Sequence, residues 1–436
     1  MANGEAYREL GEAAWAWVLG QVRQDGEGPW FPETVVDGGT PPEPRQDRDS
    51  FYAGIVGLAP LLAEIAQYRE LNGTERALSA GIVAKLSAEA ARRVEPSLYD
   101  GLAGDVMALR LLSPGAESAP LRRLGELATP EGWATTLEFE ANSSAPLSDV
   151  TMGTAGVVMT ALWAPTELTA SLAATGCEAL LAAADRTPAG LDWGISPRTK
   201  WRNPNYSHGT AGIAAALALA GADLGRPDFA EAAVEGARHL LAVGELTDGG
   251  FVVPHTIPPS SREVEPLTYT WCHGPAGTSF LFAALAYAGV PEVGGFDVRD
   301  LRRRCLSAVL ASGVPARLRP GFWDNDGRCC GTAGVGDVLL DAAQDGRDER
   351  LLDAARTMGD ALIERAVHGA YWQFVEYRNE DPLLPPGTAW MQGAAGIAAY
   401  LLRLARVVDS GLDAPVVDRP DQWWAVPQRL RVAQPV

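Results

Sequence analysis

Several things are missing from this chain, and each absence narrows what it can be. There is no run of eighteen apolar residues, so no membrane-spanning helix is expected. The opening MANGEAYRELGEAAW has neither a basic stretch nor an apolar one behind it, so a secretory signal is not expected either. Cysteine is scarce and odd in number, five in 436 residues, which argues against a disulfide framework and for reduced thiols in a cytoplasmic setting. Positive charge is in deficit: 36 Lys and Arg against 55 Asp and Glu give a net charge of −19. That balance speaks against nucleic acid and against an anionic membrane surface, and it suits a neutral or basic peptide partner. Periodic β patterning is also sparse.

What is present is a repeat. Seven times a Gly-x-x-Gly turn opens an apolar run: Gly54–Gly57, Gly101–Gly104, Gly153–Gly156, Gly209–Gly212, Gly274–Gly277, Gly331–Gly334 and Gly393–Gly396. Successive turns lie 47 to 65 residues apart, enough for a hairpin of two helices of roughly 15 residues with their loops. After Gly212 the pattern is plain: an apolar helix, a Gly-Arg-Pro break, then an amphipathic helix carrying Glu231, Glu235 and Arg238. A helix apolar all round is buried on both sides, and an amphipathic one faces solvent. The reading is therefore all-α: an α/α toroid of seven inner and seven outer helices, one domain over 1–436. Long Pro- and Gly-rich loops fall near 32–49, 251–266 and 376–390, and the tail after Asp413 with its Trp423 and Trp424 is read as an ordered extension. Glycine at the turns is expected to supply positive φ and close approach. If each turn opens an inner helix, seven helix N-termini gather at one mouth, where their N–H groups favour anions.

The chemistry-bearing residues sit beside these glycines. Cys272 stands in TWCHGPAG and the pair Cys329–Cys330 in RCCGTAG. Neighbouring repeats in a ring are neighbours in space, so the three thiolates can meet on one zinc ion and leave a fourth position for water or substrate, the pattern of a catalytic rather than a structural site. Packing between helices is the plainer alternative for any one of them, and it is the reading for Cys177 and Cys305, which lie within helical stretches. His208, in NYSHGTAGI, holds the same place in its turn as Cys330, and its pKa range suits proton transfer near neutrality. Asp149, four residues before Gly153, reads by position alone as a helix cap. His273 is a ligand, a proton donor or a filler, and His239, His255 and His368 belong to no constellation. Trp271, Trp390, Tyr52, Tyr99 and Tyr206 lie near turns and are candidates to wall an apolar cleft.

With SHGTAGI, WCHGPAG, RCCGTAG and the DVTMG of Asp149 in hand, the chain resembles the lanthionine synthetase C-like proteins, which include the lanthipeptide cyclases, through all seven turns. The resemblance implies a standalone zinc-dependent cyclase. It would add peptide cysteine thiolates to dehydroalanine or dehydrobutyrine in a dehydrated precursor peptide, which a separate dehydratase would supply, to form thioether rings. It further implies that Cys272, Cys329 and Cys330 hold Zn²⁺ while His208 and Asp149 serve acid–base work. Cys330 stands where the family usually has histidine, and Thr268 where it often has an arginine. Three rivals remain beside it. One is a family member that adds glutathione to dehydroamino acids; another is a zinc-bearing scaffold that binds peptides without turnover. The third is a different toroidal enzyme: a prenyltransferase, disfavoured by the Cys329–Cys330 pair, or a glycosidase needing two rim carboxylates from Asp100, Asp149 and Asp324.

Overall fold

The computed structural model describes residues 2–36, 48–137, 145–197, 199–247, 249–259, 266–316, 325–376 and 379–432. The chain begins with α1 (Gly4–Gln21). Six hairpins follow: α2 (Leu58–Ala66) with α3 (Gly73–Glu89), α4 (Leu102–Leu112) with α5 (Ser118–Leu127), α6 (Thr154–Trp163) with α7 (Glu167–Ala182), α8 (Thr210–Asp223) with α9 (Pro227–Val243), α10 (Pro275–Tyr287) with α11 (Val298–Ala311), and α12 (Thr332–Gly346) with α13 (Glu349–Arg365). The last α-helix among the described residues is α14 (Ala394–Ser410), followed only by two short 3-10 turns in the tail. The even-numbered helices pack side by side in sequence, and α14 returns to α2, so the inner ring closes. The odd-numbered helices form the outer layer: an α/α toroid. The chain does not run inner-then-outer throughout, as the repeat alone suggests. The seventh inner helix, α14, has no α-helix after it among the described residues, and its outer partner is α1.

Burial explains the sequence pattern. Every residue of α6, and Thr210–Gly221 of α8, is buried, because each inner helix meets two inner neighbours, an outer helix and the ring interior. Outer helices bury one stripe, for example Leu351, Leu352, Ala355, Met358 and Leu362 of α13. Trp133, Trp193 and Trp372 repeat one contact, each donating its indole N–H to a carbonyl in the last turn of the preceding outer helix (Leu124, Leu180 and Leu362, at 2.8, 2.8 and 2.9 Å). Four small antiparallel hairpins depart from the all-helical reading: β1 (Arg23–Asp25) with β2 (Gly28–Trp30), β3 (Asp185–Thr187) with β4 (Gly190–Asp192), β5 (Glu245–Thr247) with β6 (Gly250–Val252), and β7 (Glu292–Val293) with β8 (Phe296–Asp297). Strands of two or three residues are too short to imprint an alternation on the sequence.

The turn glycines act through space, not through φ. All seven first glycines are extended, with φ between −107° and −163°, and none of the fourteen turn glycines has positive φ. A Cβ on the first glycine of each turn would strike the carbonyl six residues earlier, and one on the second glycine the carbonyl of the residue three before that first glycine; at Gly209 the clash with the Asn203 oxygen would be 1.4 Å. Gly209→Ala is expected to cost more than about 3 kcal/mol. Gly20→Ala, where nothing lies within 4 Å, should be neutral or slightly stabilising. Urea melts of the two variants read the contrast.

The same tight loops change the expected role of the inner helix N-termini. Their first N–H groups are used within the backbone: Thr154, Ala155 and Gly156 donate to Leu147, Ser148 and Asp149, Thr332, Ala333 and Gly334 to Asn325, Asp326 and Gly327, and Ala394, Ala395 and Gly396 to Gly387, Thr388 and Ala389. Donors so engaged do not form an anion-binding rim.

One further backbone pattern defines the mouth. The residue two before each first glycine donates its N–H to the carbonyl of its counterpart in the next turn: Tyr52 to Tyr99 (2.8 Å), Tyr99 to Thr151 (3.2 Å), Thr151 to Ser207 (3.4 Å), Ser207 to Cys272 (3.1 Å), Cys272 to Cys329 (3.2 Å), Cys329 to Met391 (3.1 Å), and Met391 back to Tyr52 (3.1 Å). The series closes on itself and fixes the turns relative to one another.

Of the long loops, 37–47, 260–265 and 377–378 lie outside the described residues. The rest is tied down, with Val35 N donating to Pro386 O (2.9 Å) and Thr388 N to Glu33 O (2.9 Å). The tail from Asp413 to Val432 is ordered: Val416 N donates to Leu430 O (2.8 Å) and the buried Trp424 to Phe280 O (3.1 Å).

Candidate metal and acid–base site

Three cysteine sulfurs meet at the mouth. Cys272 and Cys329 are consecutive members of the backbone ring, so their side chains leave it side by side, and Cys330 follows directly. The Sγ atoms lie within 4.8 Å of one another, with Cys272–Cys330 at 3.4 Å and Cys329–Cys330 at 3.2 Å. Sulfurs tetrahedral about one zinc at about 2.3 Å stand roughly 3.8 Å apart, so the cluster fits such an ion with small side-chain adjustments. All five cysteines are free thiols, and Cys177 and Cys305 are buried in the core away from this cluster.

Without a metal the three thiols cannot all ionise. Hydrogen bonds from Cys272 and Cys330 hold the Cys329 thiol well below its ordinary pKa against the effect of burial, and Tyr52 adds a further one. Burial pushes Cys272 and Cys330 up. Three thiols so placed are a donor set suited to a divalent cation, which would let all three ionise. Around them, Thr270 Oγ1 lies 3.4 Å from Cys272 Sγ and Gln392 donates to Cys330 Sγ at 3.5 Å and to the Tyr52 hydroxyl at 3.3 Å.

His208 occupies the place in the fourth turn that Cys330 occupies in the sixth. Its Nδ1 lies 2.6 Å from Asp149 Oδ2 and 3.0 Å from Thr151 Oγ1. Asp149 is itself fixed by Thr151 Oγ1 at 2.9 Å and the Met152 N–H at 3.1 Å. The carboxylate is fully buried while the imidazole is 26% exposed, so Nδ1 is committed to Asp149 and Nε2 is the ring nitrogen left for other partners. Burial works against the charged imidazole, but the hydrogen bond and charge of Asp149, helped by Cys329 and Asp100, win and raise its pKa above the ordinary histidine value. Asp149 is therefore not the cap that its position suggested: the N-cap of α6 is Gly153, with no side-chain hydrogen bond, and the Asp149 carboxylate is engaged by Thr151, Met152 and His208.

Other expectations shift. His255, which the sequence left outside any constellation, lies 4.0 Å ring to ring from His273, itself 5.5 Å from His208. Burial, then the neighbouring histidines, keep His273 well below the ordinary value. His239 sits apart, against Thr187 (3.1 Å), and His368 packs by Tyr371. Thr268 is buried and donates to the His273 carbonyl (2.8 Å). Trp271, Trp390, Tyr99 and Tyr206 do not wall an open cleft: all four are buried inside the ring beneath the cysteines, Tyr99 and Tyr206 each edging Trp271 (5.8 and 5.6 Å). Trp271, Trp390 and Tyr206 precede their turns by three residues and Tyr99 by two. Tyr52 alone is partly exposed. Asp324 lies outside the described residues. Sequence reasoning missed Thr151 and Gln392, whose only signal is that each falls beside a turn glycine.

The profile of the family described as lanthionine synthetase C-like protein matches residues 45–412. Among solved structures the chain is similar to a nisin cyclase, at 16% identity and a TM-score of 0.57, over 83% of this chain and 89% of that one. It also overlaps an unsaturated glucuronyl hydrolase from Bacillus sp. GL1, at 14% identity and a TM-score of 0.42, over 70% and 83%. No curated protein sequence matches the chain. Among the described residues no helix is long and apolar enough to cross a membrane.

Proposed function

Because this chain belongs to the lanthionine synthetase C-like family, we propose that it is a zinc-dependent lanthipeptide cyclase, closing thioether rings in a dehydrated precursor peptide. The observation that carries the reading is the meeting of three thiols within 4.8 Å beside a histidine held by a buried carboxylate. Cys272, Cys329 and Cys330 are the residues that would hold the ion. Zinc bound there would supply a lowered pKa to an incoming peptide thiol, making thiolate available near neutrality.

The remaining work falls to the chain's own groups. Ring closure forms one C–S bond at the β-carbon of a dehydroalanine or dehydrobutyrine, moves the alkene electrons onto the adjacent carbonyl as an enolate, and needs one proton at the α-carbon. The thiol gives up one proton and the carbon gains one, so the reaction is isomeric and needs no oxidant or reductant. His208, charged through Asp149, delivers the α-proton from Nε2, and Asp149 with Thr151 fixes the tautomer and the ring plane. Gln392 and Tyr52 hold Cys330 and Cys329 in place by hydrogen bonds. The inner helix N–H groups are already engaged, so the enolate oxygen is not assigned to them. We read residues 1–436 as one domain acting in the cytoplasm, with a separate dehydratase supplying the substrate and no nucleic-acid partner.

The test is turnover. The protein loaded with one zinc per chain is incubated with a dehydrated, cysteine-containing peptide. Loss of free thiol at unchanged mass is the expected result. A product heavier by glutathione, formed only when glutathione is added, would reassign the chain to the glutathione-adding reaction. Stoichiometric binding without thiol loss would make it a scaffold.

A further inference from the structure

The metal-binding turn and the histidine turn lie on different repeats, and a second structure joins them from below. Arg328, directly before Cys329, points into the ring and pairs there with Asp337 of α12. Its guanidinium lies over the face of Trp390, 4.3 Å from the ring centre. Asp337 also accepts from Arg403 of α14 (2.8 Å) and from Arg419 of the tail (3.1 Å), and Arg419 sits near the same indole (5.5 Å). Arg419 in turn holds Asp421 (3.1 Å). The other carboxylate oxygen of Asp421 accepts from the Tyr99 hydroxyl (2.9 Å), and its backbone carbonyl accepts from the Tyr206 hydroxyl (3.0 Å). All these side chains are buried.

Short distances along the chain carry these contacts to the site. Tyr206 is two residues before His208. Arg328 adjoins Cys329, and Trp390 is two residues before Gln392, which donates to Cys330. The tail segment 419–421 therefore touches the histidine turn through Tyr206 and the turn that supports Cys330 through Trp390, and it shares Asp337 with Arg328 of the cysteine turn. Arg403 also engages Asp341 (2.7 Å), so three arginines face the three carboxylates of Asp337, Asp341 and Asp421 in the interior. A balanced buried set is held in one arrangement, because removing any one member leaves an uncompensated charge.

We infer that Asp421, acting with Arg419, is a positioning residue for the site: the C-terminal tail sets the separation between His208 and the three cysteine sulfurs. The inference rests on the reading of the mouth as a metal and acid–base centre. The protein is made as Asp421→Asn, which keeps the shape and removes the charge, and as Tyr206→Phe, which removes the hydroxyl's bond to the Asp421 carbonyl together with its long contact to Met159 Sδ (3.8 Å). Each is loaded with Co²⁺ as a spectroscopic probe, titrated with zinc against a chromophoric chelator, and assayed for ring closure.

Asp421→Asn is expected to keep one metal per chain, shift the Co²⁺ absorption bands, and lower kcat by roughly 10–100-fold with KM little changed, as loss of an outer support does. Tyr206→Phe should lower kcat in the same sense without altering zinc affinity. If both variants match the wild type in Co²⁺ spectrum, zinc affinity and kcat while melting at lower temperature, the tail merely stabilises the ring and the inference falls. If Asp421→Asn does not fold, Tyr206→Phe decides alone. If the wild type closes no rings, the proposed function fails, and the Co²⁺ spectra of the variants still decide whether the tail shapes the metal site.

Discussion

Cys272→Ala is expected to leave a folded protein that no longer retains zinc and no longer closes rings. The cysteine supplies one of three sulfurs and is the single one from its turn, so no neighbour can replace it. If a protein zinc site is worth about 10–16 kcal/mol in all, loss of one of its few ligands costs about 3–5 kcal/mol, roughly 10²–10⁴-fold in affinity. At ordinary zinc concentrations that empties the site. The fold should survive, because the backbone of Cys272 keeps both of its ring hydrogen bonds whatever its side chain. Metal per chain, the circular dichroism melt and thiol loss measured on one preparation check all three parts. Full metal content in the variant would place the ion elsewhere.

His208→Ala is expected to reduce kcat by about 10²–10⁴-fold while metal content stays at wild-type level, since proton transfer by a positioned side chain is worth that much. Asp149→Asn gives the finer test. The wild-type imidazole is held above its ordinary pKa, chiefly by Asp149 acting against burial. A general acid must be protonated, so the rate falls as pH rises through that raised value. Without the carboxylate the pKa drops, and the alkaline limb of kcat/KM must move to lower pH. A limb that stays in place would separate His208 from the proton-transfer step.

The same pair has a stability signature. A group whose pKa is raised on folding stabilises the fold fully below its unfolded value, about 6.5 for histidine, and loses that contribution as pH rises through the folded value. Asp149→Asn should therefore destabilise more in mildly acid buffer than in alkaline buffer.

The ring was legible because its cause is local. A second glycine three residues after the first lets an inner helix start against a carbonyl of its own turn, and seven repetitions leave a mark in the sequence that no single clash would. The cysteines were legible for the same reason, since each could be counted from a turn glycine. Asp421 was not, because its partners Tyr99 and Tyr206 lie 322 and 215 residues away and nothing near it repeats. The mouth hydrogen bonds were hidden differently. They use only backbone atoms, and the positions that make them carry Tyr, Thr, Ser, Cys and Met without preference. The conformational role expected of the turn glycines was wrong in kind: their φ values are ordinary, and what the positions lack room for is a methyl group.

The pairing of α1 with α14 has a consequence for how the molecule comes into being. It is a bracelet whose clasp is made from the first and last helices of the chain. During synthesis the three thiols of the mouth emerge well before the clasp can fasten, and the ring stays open on one side until residues 394–410 leave the ribosome. The mouth is in this sense completed only after its own sulfurs have been added.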